Sequence, residues 1–88
     1  MEEKDIIPYL NIALDFMHEE MHDFPKGFLP QHLIQHFENI GDGELSLIYA
    51  KSLLDVLVTH KVAEEKDGYY SITKSGVLLS NMGGFKTE

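Results

Sequence analysis

Apolar positions recur first at helical spacing and then at strand spacing along the chain. Over 4–22, Ile6, Leu10, Ala13, Met17 and Met21 return every three or four residues, which predicts an α-helix. Ile7, Tyr9, Ile12, Leu14 and Phe16 widen the stripe. At about 100° per residue the apolar arc spans roughly 200°, wider than one small core requires. The surplus face predicts a subunit contact, with Ile7, Ile12, Leu14 and Phe16 as its candidates. Asp23-Phe24-Pro25-Lys26-Gly27 breaks the helix. Phe28-Leu29, held extended before Pro30, predicts a short strand, and Pro30 suits the first turn of a second helix. Leu33, Ile34, Phe37 and Ile40 form its expected buried face, and Gly41-Asp42-Gly43 its end.

A third helix is predicted over 44–60, with Leu47, Ala50, Leu54, Leu57 and Val58 inward. The pattern then becomes strand-like. Val62–Lys66 and Tyr69–Thr73 flank Asp67-Gly68, a hairpin signal because both central residues of a type I′ turn need positive φ. Thr73 is placed to cap a last helix, Lys74–Met82, with Val77, Leu78 and Met82 inward. Gly83-Gly84 stops that helix, so 83–88 reads as a flexible tail. No internal repeat or linker interrupts the 88 residues, which predict a single domain.

The order helix, short strand, helix, turn, helix, hairpin, helix resembles the winged helix-turn-helix superfamily. The resemblance is carried by LLDVLVTHKVAEEKDGYYSITKSGVLLSNM, Leu53–Met82. This looks like the tail of many small bacterial and phage regulators, where the second strand runs into an aromatic-x-(Ile/Leu)-Thr-x-x-Gly element. Here that element is Tyr70-Ser71-Ile72-Thr73-Lys74-Ser75-Gly76. Those families usually carry Gly after the third helix, where this chain has His60-Lys61-Val62. The resemblance implies an α+β fold: a small winged-helix domain with a three-helix core, a short β-hairpin wing and a C-terminal helix. It also implies that the third helix and the wing form the working face.

Charge changes what that face can do. Fifteen acids oppose seven bases, for a net charge of −8, and there is no arginine. Such a balance repels nucleic acid and anionic membranes at long range. The outward positions of the third helix are Leu45, Ile48, Tyr49, Lys51, Ser52, Asp55, Val56 and Thr59. One base, one acid and no amide equip it poorly to read base edges, which are contacted mainly by Arg, Lys, Asn and Gln. The wing, Glu64-Glu65-Lys66-Asp67-Gly68, is acidic where a phosphate contact needs Lys or Arg. Only weak, non-specific nucleic-acid binding is expected.

Residues 18–22, HEEMH, match the His-Glu-x-x-His pattern of zinc peptidases. A zincin also needs a third ligand, an open water position and a cleft. His18 and His22, like the second i, i+4 pair His32 and His36, are therefore candidates for adventitious metal only. With no cysteine there is neither a disulfide framework nor a thiolate metal site. No phosphate-binding glycine motif and no local nucleophile signature occur. No cofactor, no membrane association and a cytoplasmic location are expected. The reading these features favour is a non-catalytic regulatory or adaptor module, homodimeric and acting through a protein partner the sequence does not name. A DNA-binding transcriptional regulator is the alternative, and a zinc hydrolase using HEEMH a remote one.

Overall fold

The computed structural model describes residues 3–41 and 45–85. Among them lie α1 (Glu3–Glu20), α2 (Pro30–Asn39), α3 (Leu47–Thr59), β1 (Ala63–Lys66), β2 (Tyr69–Ile72) and α4 (Lys74–Asn81). The protein is an α+β domain in which four helices and one antiparallel hairpin share a single core. Its Cα radius of gyration is 11.8 Å, against about 12 Å for a compact chain of this length.

The wide apolar arc of α1 is consumed inside the domain. Leu10, Ala13, Leu14 and Met17 are fully buried and Phe16 nearly so, because α1 packs against α2, α3, α4 and β2. This corrects the expectation that Leu14 and Phe16 lie on an outer dimer face. Ile7 is half-buried, and Ile12 is half-buried against the core. A helix touched on several sides needs a broad stripe, so stripe width alone does not indicate a second subunit.

Beyond α1 the chain turns at 21–23 and reaches Phe28. Phe28 N–H donates to Tyr70 O (2.6 Å) and Tyr70 N–H donates to Phe28 O (2.8 Å), an isolated antiparallel bridge where the short strand was expected. Phe28 packs its ring, tilted, against Phe24 and Phe16 at centroid distances of 4.7 and 5.1 Å. The α2 helix then starts at Pro30 and buries Leu33 and Phe37. Ile40, expected inward, is exposed, because the helix ends at Asn39 and Ile40 is its C-cap. Gly41 takes positive φ, while Asp42 and Gly43 fall outside the described residues.

Helix α3 buries Ala50, Leu53, Leu54 and Leu57. Its end shows how the chain manages without the glycine usual in the resembling families. Lys61 N–H donates to Val58 O (2.9 Å) and Val62 N–H to Leu57 O (3.1 Å), with Lys61 in the left-handed region at φ 64°. That is a Schellman cap with lysine in the glycine position. The hairpin follows in the predicted register, Glu65 opposite Tyr70 and Lys66 opposite Tyr69. Asp67 and Gly68 both have positive φ, as a type I′ turn requires.

Thr73 caps α4 as expected, its Oγ1 accepting from Gly76 N–H at 3.1 Å. Gly76 itself is buried and lies so close to Val62 O that a Cβ there would collide with it, and would stand 2.6 Å from Ile72 Cγ1. The glycine of the Thr-x-x-Gly element thus allows α4 to start directly against the strand that enters the hairpin. With Gly76 and Leu79 facing in, Leu78 and Met82 are turned to solvent, reversing their expected placement. Nor is the segment after α4 free. Asn11 accepts from Phe85 N–H (2.6 Å) and donates to Phe85 O (3.1 Å), and Phe85 packs against the core. The expected tail is therefore held at least through Phe85, and 86–88 fall outside the described residues.

Two substitutions test this geometry. Gly76→Ala should destabilise the domain by about 1–3 kcal/mol, the range for an overpacked core. Lys61→Gly should stabilise it by about 0.5–1 kcal/mol, because relief of left-handed strain exceeds the added backbone entropy. Urea denaturation followed by circular dichroism reads both.

Candidate functional site

The outward face of α3 is smaller and less apolar than its sequence suggests, but the apolar residues it keeps are far more exposed. Ser46 caps the helix through its hydroxyl, which accepts from Tyr49 N–H at 3.1 Å. This start turns Leu45 into the core, and Tyr49 and Val56 pack half-buried against it, Tyr49 edge-on to Tyr9 at 6.0 Å. These three leave the outward set. Leu47 joins it, 59% exposed instead of buried, because it is the first residue of α3 and stands beyond the turns that bury Ala50, Leu53, Leu54 and Leu57. Ile48 is 81% exposed. Two of the remaining polar side chains bond inside the helix. Ser52 Oγ donates to Ile48 O (2.9 Å) and Thr59 Oγ1 to Asp55 O (3.0 Å). Hydroxyls engaged this way offer no free donor to a base edge. Lys51 and Asp55 supply the charge on this face.

Glu64, Glu65, Lys66, Asp67 and Gly68 are all exposed on the hairpin. Gly68 N–H donates to Glu65 Oε2 at 2.8 Å, holding the turn. Tyr70 OH, donating to Asp55 Oδ1 at 2.8 Å, ties the hairpin to α3. Burial pushes the Tyr70 phenol up to about 12; the hydrogen bond to Asp55 and the negative charges of Asp55 and Glu65 act in the same direction. Between the hairpin and α3 runs an open groove lined by Pro30, Leu47, Lys51, Asp55, Glu65, Gly68 and Tyr70. The face is thus an apolar ridge, Leu47 and Ile48, beside an acidic hairpin.

The histidines do not converge. Helix α1 ends at Glu20, so His22 lies exposed in the following turn and is not one helical turn from His18 on a common face. His18 Nδ1 lies 3.0 Å from Ser80 Oγ, whose proton goes to Asp15 Oδ1 at 2.8 Å. An activated serine gives its proton to the imidazole, and the carboxylate holds the other ring nitrogen. Here both bonds fall on the serine oxygen, and the trio ties α1 to α4. His32 Nδ1 accepts from Leu29 N–H (3.0 Å), so this imidazole caps α2, and the His32 backbone N–H donates to Leu29 O (3.0 Å). His36 stacks on Phe16 at 4.4 Å. At the end of α1, Glu20 is pushed above the usual carboxylate range, first by its side-chain hydrogen bond with Asp23. Among the described residues no group of three or more His, Asp or Glu is gathered to hold a metal ion.

Comparison of the chain with protein families, with curated proteins and with solved structures returns no match. Among the described residues no helix is long and apolar enough to cross a membrane.

The Tyr70–Asp55 bond has a pH signature. The folded phenol keeps its proton to about 12, whereas an unfolded tyrosine releases it near pH 10. Its contribution is therefore complete below about pH 10 and lost as pH rises toward 12. Tyr70→Phe should cost about 1 kcal/mol at neutral pH, the size of one hydrogen bond. The gap between wild type and variant should close over that alkaline window in denaturation curves.

Proposed function

We propose that this chain is a winged-helix-like, non-catalytic module that works by protein contact, with the outward face of α3 and its hairpin wing as the docking surface. The observation that carries this is Ile48, 81% exposed beside Leu47 on the face where a nucleic-acid reader needs donors. Large apolar groups held in water gain free energy when a partner covers them, at about 25 cal/mol per Å². The chemistry around them agrees. The hairpin is acidic, the chain has no arginine, and Ser52 and Thr59 spend their donors on their own helix.

A DNA-binding regulator is the second reading. It is favoured by the element order, in which α2, a turn, α3 and the hairpin succeed one another, and by Lys51 exposed on α3. Fold analogy is its warrant, and charge opposes it. Of the α1 residues considered for a homodimer, only half-buried Ile7 and Ile12 retain surface, so the protein-contact reading rests on α3.

Selection from a random duplex library should enrich no sequence. Titration at physiological salt should give a dissociation constant no tighter than about 10⁻⁴–10⁻⁶ M, the non-specific range. A protein partner should be recovered by affinity capture and lost on Ile48→Glu, a change at a solvent position that leaves the fold intact. A consensus bound at nanomolar affinity and lost on Lys51→Ala would establish the regulator instead.

A further inference from the structure

Leu78 of α4 and Met82, the C-cap of that helix, stand four residues apart, 63% and 66% exposed. Beside them an apolar groove of about 410 Å³ opens between the end of α1 and α4, lined chiefly by Met21, Ile72, Val77 and Leu78. Its polar lining is limited to Thr73 and Lys74. The packing of α4 makes this surface unavoidable. Gly76 must face Val62, and that rotation sends Leu78 outward.

Charge indicates what covers it. All fifteen acids of the chain lie outside the stretch Ser71–Phe85, whose single charge is Lys74. Two copies, each at −8, repel one another wherever acid meets acid. On α4, which carries no acid of its own and meets Asp15 at Ser80, they can approach with less of that penalty and bury apolar surface at the same time. We propose that this face is an isologous contact between two copies of this chain, Leu78 of each copy entering the Met21–Ile72–Val77 groove of the other. The contact is independent of the α3 reading and leaves both α3 faces open, so that the pair would present two docking surfaces.

Sedimentation equilibrium between roughly 1 µM and 1 mM covers the range of weak association. The 10.0 kDa chain should convert to twice that mass across it. Added salt should tighten the pair, because screening relieves acid repulsion and leaves the apolar contact. Leu78→Glu, with an unchanged circular dichroism spectrum, should weaken the association at least tenfold, and Ile48→Glu should leave it unaltered. A photocrosslinking residue at position 78 should link to the second copy at Met21, Ile72 or Val77. A chain still monomeric at 1 mM overturns the proposal. So does a dimer that responds to Ile48→Glu and not to Leu78→Glu, or a crosslinker that in cell extract captures a different protein and never a second copy.

Discussion

Tyr70 joins three parts of the domain at one residue. Its backbone bonds to Phe28, its cross-strand neighbour is Glu65, and its ring is buried with the hydroxyl on Asp55 of α3. The hairpin is too short to be stable alone; a two-stranded ribbon in water is marginal at best. It acquires its position from the Phe28 bridge on one side and the α3 carboxylate on the other. From Phe28 the same connection passes into the aromatic packing of Phe24 and Phe16, and so into the centre of α1. Displacing Tyr70 would free the hairpin and open the core beneath it.

The remaining architecture is governed by close approach. Gly76 lets α4 start against Val62, and Asn11 holds Phe85 through both of its backbone groups. Together with the Asp15–Ser80–His18 bonds, these contacts wrap the C-terminal part of the chain along α1. Three of the four histidines that look like metal ligands in the sequence, His18, His32 and His36, are used in packing and hydrogen bonding within the fold. One joins two helices, one caps α2 and one packs on Phe16.

Apart from Ile40 at the end of α2, the large apolar groups exposed among the described residues are divided between α3, with Leu47 and Ile48, and the α4 region, with Leu78 and Met82. The α3 group lies beside acids, and the α4 group lies in the longest stretch without them. That division underlies the separate proposals of a docking face for another protein and a contact between copies.

Local chemistry in the sequence was sufficient to predict every element. Helical spacing, the Asp67-Gly68 turn, the Thr73 cap and the extended residues before Pro30 are short-range signals, and each acts over a few residues in the folded chain as well. Net charge and the absence of arginine likewise required no structure, and they bound the chemistry of the exposed face. Which side of each helix faces the core was a different matter. Leu47, Leu78 and Met82 turned outward, and Leu45, Leu14 and Phe16 turned inward. A stripe wider than one contact does not say how many neighbours a helix has. Only the tertiary structure supplies that number, through long-range pairs such as Tyr70 with Asp55, Asn11 with Phe85 and Gly76 with Val62, whose complementarity is set by distance in space and leaves no periodic trace along the chain.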